Sequence, residues 1–293
     1  MITFLKELEN ELKIRGFSNA TIKTYKYQVE KFVEWLKENK GRITVQRSLL
    51  SDNKGSINFS NVSKSDIKAF IGHLISDKGK SPSSVNLALS SLRFFFIEVL
   101  KQNIFDGIKA PKSEKKIPTV LTKEEVKSLI EAVGNPRHKI LIMLMYGSGL
   151  RVSETVSLRI NDLDLDDKTG VIRAGKGNKD RNIIISDALI LDIKKYFGKR
   201  KDGNPYIFNR KEGHITSRQA QRIVSGYANK AGLKKRVFCH ALRSSFATHL
   251  LESGTDIRVI QELLGHSNLA TTERYTKVSK EQIKKVRSPF DEL

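Results

Sequence analysis

The sequence predicts a mainly α-helical protein with one small antiparallel β-sheet or hairpin, arranged as two domains. Apolar residues recur at spacings of three and four through most of the chain, which is the helical period. Only one pair of short runs, Gly170–Ala174 and Arg181–Ile185, reads as strands, joined across the turn Gly175-Lys176-Gly177-Asn178-Lys179-Asp180. Between the two helical stretches lies Lys109-Ala110-Pro111-Lys112-Ser113-Glu114-Lys115-Lys116-Ile117-Pro118, an extended and solvated segment with little to bury. A length of 293 residues suits two domains better than one, with expected limits of 1–108, a linker at 109–119, and 120–293.

The elements follow in order. Ser18 can cap a helix whose apolar stripe is Ile22, Tyr25, Val29, Phe32 and Leu36. Residues 40–62 are polar and aperiodic, a loop or weak hairpin. Ser65 and Asp66 open a helix through Ile75. Ser81-Pro82-Ser83 opens another to about Leu100, apolar on Val85, Leu89, Leu92, Phe96 and Leu100. No polar cluster in this first half suggests chemistry, so it reads as a helical bundle. After the linker, Thr122 and Glu125 form a capping box before Val126, Leu129 and Ile130, and Ile140 to Tyr146 is a strongly apolar helix. Pro205–Asn209 is a further short-strand candidate. Thr216 and Gln219 make a second capping box, opening a helix with Arg218, Gln219 and Arg222 near its start; Arg and Gln suit guanine and adenine edges in the major groove. Ser279 with Gln282 caps a short helix over about 279–287. Its two apolar residues, Ile283 and Val286, are too few to hold it without a host surface.

Charge narrows the function. Fifty-three Lys and Arg against 32 Asp and Glu leave +21. Residues 1–120 hold 21 basic and 12 acidic side chains, so both halves are cationic and a duplex clamped from two sides fits the distribution. No run of 18 apolar residues could span a bilayer, and no basic amphipathic helix with a clean apolar face favours a membrane surface. One cysteine, Cys239, cannot form an internal disulfide, and no signal-peptide core is visible, so a cytoplasmic location is expected.

Several motifs fail. Gly170 to Lys176 has phosphate-loop spacing, but Gly177 stands where Ser or Thr is required. Asp162, Asp164 and Asp166 resemble a calcium loop, yet Asp167 replaces its glycine and Arg173 its closing glutamate. Gly147-Ser148-Gly149 lacks the third glycine of a dinucleotide fingerprint. No His and Cys spacing suits zinc, and no acidic cluster suits paired magnesium ions, so no metal and no cofactor is expected. Chemistry on a phosphate would then need side chains in place of a metal's charge. Arg151 follows a glycine-flexed turn, with Glu154 one helical turn on to hold its guanidinium. His240 and Arg243 share a helix face at spacing three, with Leu242, Phe246 and Leu250 on another. Leu264-Gly265-His266 and Arg274-Tyr275-Thr276 follow.

In this order and local context the chain resembles the tyrosine recombinases of the phage integrase family, nearest to the Xer type of bacteria or archaea. The words that carry the match are Gly149-Leu150-Arg151-Val152-Ser153-Glu154, Gly175-Lys176-Gly177-Asn178-Lys179, His240-Ala241-Leu242-Arg243, Phe246-Ala247-Thr248-His249-Leu250-Leu251, Leu263-Leu264-Gly265-His266-Ser267 and Thr271-Thr272-Glu273-Arg274-Tyr275-Thr276. Two departures stand out, Ser244-Ser245 where the family often has His-Thr, and Lys277 where His is frequent. The resemblance implies an N-terminal SAM-like core-binding domain, a catalytic domain, and six catalytic residues: Arg151, Lys176, His240, Arg243, His266 and the nucleophile Tyr275. Glu154 would support Arg151, and Arg218, Gln219 and Arg222 would touch DNA. It implies site-specific exchange of strands of a double-stranded recombination site in a four-subunit synapse, from a monomer or dimer off DNA, with the C-terminal helix docked on a neighbour and a dif-like chromosome site as target. A phage or transposon integrase shares the chemistry, and a type IB topoisomerase has a similar site but relaxes any supercoiled DNA. His249 is expected to be structural, and His73, His138 and His214 carry no motif.

Overall fold

The computed structural model describes residues 2–39, 50–51, 56–57, 59–112, 118–173, 180–266, 268–273 and 275. Two compact units divide the chain, Met1–Lys115 and Lys116–Leu293.

The first unit is helical. α1 (Ile2–Ile14) turns into α2 (Asn19–Glu38), whose first turn is capped by Ser18 accepting from the backbone N–H of Thr21. Leu8 and Leu12 bury one stripe of α1, a helix that the alternation of charges around them hides. Residues 50–51 and 56–57 pair as a minimal antiparallel hairpin, β1 and β2. α3 (Lys64–Ser76) begins earlier than Ser65-Asp66 suggests. Ser63 is its cap, and the Asp66 carboxylate reaches back to the Ser63 N–H at 2.7 Å, so Asp66 closes the box rather than opening the helix. Ser81 caps α4 (Pro82–Phe94), which passes into a π-helical turn over Phe95–Val99. The wider turn seats two successive rings, Phe95 and Phe96, in the core, packed edge to face at 5.4 Å. Leu8, Val29, Phe32, Ile67, Phe70 and Leu92 complete that core.

The second unit is built around α6 (Pro136–Gly147), whose Ile140, Leu141, Ile142, Leu144 and Met145 are all buried. Packed around it are α5 (Lys123–Glu131), capped by Thr122 and Glu125, then α7 (Val152–Ser157), α8 (Asp187–Phe197), α9 (Ser217–Lys230) and α10 (Cys239–Glu252). The sheet has three strands in the order β3-β4-β5: Leu163–Asp164, Thr169–Ile172 and Arg181–Ile184, all antiparallel. The added strand β3 comes from the aspartate run, where Asp164 Oδ1 accepts from the backbone N–H groups of Asp166 and Asp167 in a turn. Pro205–Asn209 is not a strand: Tyr206 and Asn209 make single bridges to Arg159 and His214. α11 (Ile257–Leu264) packs on α10 and β5, beside a smaller cluster of Phe246, Ala247, Leu251, Ile260, Leu264 and Tyr275. The turn carrying Lys176 and the expected helix at 279–287 lie outside the described residues. Among those residues no helix is long and apolar enough to cross a membrane.

Candidate active site

The site begins at the end of α6. Ser148 Oγ donates to the carbonyl of Ile184 on β5 at 2.6 Å, fastening the turn to the sheet. Gly149 then turns with φ +60°, and a Cβ there would lie 2.4 Å from Cδ1 of Phe246, so only glycine fits. Arg151 follows as the N-cap of α7. Its backbone N–H donates to Glu154 Oε2 at 2.8 Å and its Nη1 to Oε1 at 2.7 Å, so the sequence-predicted support of Arg151 by Glu154 is made twice.

Arg243 sits in the middle of α10 and is 2% exposed. Its helix is buried on nearly every side from Ala241 to Thr248, so the expected division into a polar face and an apolar face does not hold; His240, three residues back, is exposed. Burying a guanidinium is costly unless its N–H groups are met. Nη1 donates to Gly149 O at 2.7 Å, and Nη2 donates to Leu264 O at 2.6 Å and to His266 Nε2 at 3.0 Å. Since Arg can only donate, His266 Nε2 is the acceptor; Nδ1 therefore carries the ring proton and donates to Thr272 Oγ1 at 2.9 Å. In this arrangement His266 holds Arg243, and a hydrogen bond from its ring to a phosphate would require that pairing to open.

A third arginine, Arg181, escapes sequence reasoning. It is the first residue of β5, where the alternation puts Arg181 and Ile183 inward and Asn182 and Ile184 outward. Nη1 and Nη2 grip Glu154 Oε1 and Oε2 at 2.9 and 2.6 Å, and Nε donates to Leu263 O at 2.9 Å. Three consecutive carbonyls at the C-terminal end of α11 thus each hold a different arginine: Leu263 takes Arg181, Leu264 takes Arg243, and Gly265 takes Arg151 Nη2 at 3.1 Å. These carbonyls have no partner within the helix and form the negative end of its dipole. Gly265 ends the helix with φ +60°, where a Cβ would come within 2.8 Å of Arg181 Cδ.

Burial would raise the Glu154 carboxyl, but hydrogen bonds from Arg181 and Arg151 hold it at about 2. Burial, and then the charge of Arg151, lower Arg243 to about 10, so it stays a cation at neutral pH. Burial, followed by the charges of Arg243 and Arg151, lowers His266 to about 4 and keeps it neutral. His240 stands close enough for its charge to act on His266 as well. Tyr275 is 4% exposed, its ring stacked on that of His266 at 6.4 Å and 19° and its backbone N–H on Thr272 O at 3.0 Å. Arg243 lies within reach of its charge. Arg151 opens onto a cleft of about 800 Å³ that is also lined by Ser153, Ser157, Arg159, Arg173 and Tyr206.

Five of the six expected residues therefore gather in one place, and Lys176 lies outside the described residues. Arg218 and Arg222 are exposed on α9; Gln219 is half-buried and its Oε1 accepts from Thr216 N at 2.9 Å, so its carbonyl caps the helix. The Ser245 hydroxyl bonds elsewhere: its Oγ accepts from Leu121 N and donates to Ala241 O, both at 2.8 Å, anchoring the start of the unit to α10. His249 pairs with Tyr146 Oη at 2.9 Å, His138 with Tyr227 Oη at 3.1 Å and His73 with Asp77 Oδ2 at 2.6 Å. Among the described residues, no three of His, Cys, Asp and Glu are grouped to hold a metal ion.

Arginines locked around a single carboxylate, beside a covered tyrosine, suit the handling of a phosphate group by a DNA strand-transferring enzyme. Comparison with known proteins is specific. Residues 119–282 match the phage integrase family, and residues 4–106 match the phage integrase N-terminal SAM-like domain. The chain belongs to the phage integrase family and is a tyrosine recombinase of Xer type. It is 37% identical over 285 residues to tyrosine recombinase XerA of Pyrococcus horikoshii, covering 96% of this chain and 90% of that protein. It is 32% identical over 288 residues to tyrosine recombinase XerD of Oceanobacillus iheyensis, covering 92% and 91%. Among solved structures, the XerH site-specific recombinase bound to difH substrate in a pre-cleavage complex aligns with a TM-score of 0.71 at 26% identity, over 93% of this chain and 81% of that one.

Proposed function

We propose that this recombinase cuts and rejoins DNA through a covalent 3′-phosphotyrosyl intermediate, with Tyr275 as nucleophile. Tyr275 Oη attacks phosphorus and gives up its proton, the bond from phosphorus to the 5′-oxygen breaks, and that oxygen leaves as a hydroxyl after taking a proton. Arg151 and Arg243 meet the charge that gathers on the non-bridging oxygens, a term worth on the order of a hundredfold to a thousandfold in rate per preorganised donor. The resemblance makes Lys176 the acid for the leaving oxygen, with His240 assisting the tyrosine proton and His266 orienting Arg243 or bonding the phosphate. The tyrosyl ester conserves the free energy of the phosphodiester, so another 5′-hydroxyl reseals the strand without ATP. The observation that carries this reading is the juxtaposition of Arg243, His266 and Tyr275, linked by the 3.0 Å Arg243–His266 bond and the 6.4 Å ring stack.

The substrate is a double-stranded recombination site, and the relatives named XerA and XerD favour a dif-like site on the chromosome as target. Exchange takes four subunits on two sites, as the resemblance implies. A pool of nicked duplexes with randomised sequence, captured as covalent adducts and sequenced, tests the reading. Two inverted half-sites around a short spacer are the expected yield. Capture without sequence preference, together with relaxation of any supercoiled plasmid, would indicate a topoisomerase-like enzyme instead.

A further inference from the structure

The catalytic reading uses Arg151 and Arg243 but leaves unexplained a buried arginine whose three nitrogens all donate to protein acceptors. Arg181 is 8% exposed. Its bonds to both oxygens of Glu154 and to Leu263 O commit Nε and one N–H on each terminal nitrogen to protein acceptors. It forms the floor beneath Glu154, while Arg151 lies along the same carboxylate and is half-buried at the cleft.

We propose that Arg181 is a positioning residue of the phosphate clamp: it neutralises Glu154, so that Glu154 can hold Arg151 in place without cancelling the charge that Arg151 and Arg243 offer a phosphate. The inference rests on the recombinase reading above.

Three arginines against one glutamate leave the cluster at +2. Without Arg181 it falls to +1. A phosphodiester carries one negative charge, and attack by a tyrosinate brings the transition state to two, so the third arginine matches the cluster to the transition state rather than to the ground state. Geometry points the same way. Arg243 Nη1 is already 3.9 Å from Glu154 Oε2, an oxygen that Arg181 occupies at 2.6 Å. A carboxylate freed of Arg181 in this low-dielectric site would draw on Arg243 and Arg151 together, and both would turn from the phosphate toward Glu154. The third bond of Arg181, to Leu263 O, keeps it in register with the other two arginines, since Leu264 and Gly265 hold those. The end of α11 spaces all three guanidiniums, and Gly265 has no Cβ where Arg181 Cδ must pass.

Single-turnover cleavage of a nicked duplex by the full chain tests this, using Arg181→Met, Arg181→Lys and the double variant Glu154→Gln/Arg181→Met. Arg181→Met should cleave on the order of a hundredfold more slowly, with the Kd for DNA changed by less than about threefold. The double variant restores the cluster to +2 and leaves no buried carboxylate unpaired. It should recover at least about tenfold over Arg181→Met, although it makes fewer native hydrogen bonds. Arg181→Lys keeps the charge and should fall between the two. On a duplex with an uncharged methylphosphonate at the scissile position, less charge develops for the cluster to meet, and the Arg181→Met defect should shrink to under about tenfold. An Arg181→Met defect equal on both substrates, with the double variant no faster than the single, would mean that Arg181 only holds the fold, and would overturn the proposal. If Arg181→Met does not fold, the double variant decides alone: cleavage within about tenfold of wild type supports the charge-matching role, and cleavage as slow as an unfolded chain removes it. Failure of the wild-type chain to form any adduct would defeat the recombinase reading itself, a different outcome from any of these.

Discussion

His266 should make the stability of the catalytic unit depend on pH in a way that can be isolated. Its Nε2 accepts from Arg243 at 3.0 Å, so a proton can add there only if that bond breaks beside a buried cation. Burial and the neighbouring arginines bring the ring from the usual 6.5 down to about 4. Between these values the unfolded chain takes up a proton that the folded chain does not, so acid favours unfolding. The contribution is complete above pH 6.5 and is lost progressively toward pH 4. The full shift is worth about 3.4 kcal/mol at about 1.36 kcal/mol per unit, and solvent screening of a half-buried ring reduces this to roughly 2 kcal/mol. For a unit of this size that is roughly 4–8 °C in melting temperature. His266→Gln keeps an acceptor for Arg243 and removes the titration. Thermal melts followed by circular dichroism from pH 7.5 to 4 should show wild type losing those few degrees beyond what His266→Gln loses, since the carboxylates that titrate are common to both. Parallel curves would refute the reasoning.

Three further outcomes follow from particular residues. Gly149→Ala meets both a left-handed backbone and Phe246 Cδ1 at 2.4 Å, and should destabilise by about 2–5 kcal/mol, whereas Gly134→Ala, with open space around its Cβ, should change the melting temperature by no more than a degree or two. DNA affinity should fall on the order of a thousandfold or more between 50 and 200 mM salt if six to ten phosphates are contacted, and a flat response in a filter-binding titration would leave the +21 charge without that role. Alanine at Arg218 or Arg222 should relax sequence discrimination by about 1–3 kcal/mol per lost base contact without slowing cleavage of a preformed nicked site; equal losses on all sequences would reduce these arginines to backbone contacts.

Much of the fold is legible in the sequence because local rules carry it. Ser18, Ser81, Thr122 and Thr216 cap helices through bonds spanning three residues, and such bonds are readable from spacing. Arg151, Arg243 and His266 are legible because the motifs that hold them resemble those of a known family. What escaped reading depends on long-range contact. Arg181 lies 27 residues from Glu154 and 82 from Leu263 in sequence, and only the inward alternation of β5 hints that this arginine faces the core. Spacing puts Arg243 with His240 on a different helix face from Leu242 and Phe246, and its burial follows from the distant acceptors Gly149, Leu264 and His266. The π-turn at Phe95–Val99 answers to the packing of neighbouring rings, which no spacing rule encodes, and β3 exists only because β4 lies beside it.

The covalent step is tested most directly by incubating the full chain with a nicked duplex carrying its captured site, in excess EDTA, then digesting and locating the attached nucleotide by mass spectrometry. The expected result is a 3′-phosphodeoxynucleotide on Tyr275 in wild type and no adduct with Tyr275→Phe, although that variant binds DNA with nearly unchanged affinity. An adduct that persists in Tyr275→Phe, or one that forms only when magnesium is supplied, would contradict attack by Tyr275 on a phosphate held by arginines alone.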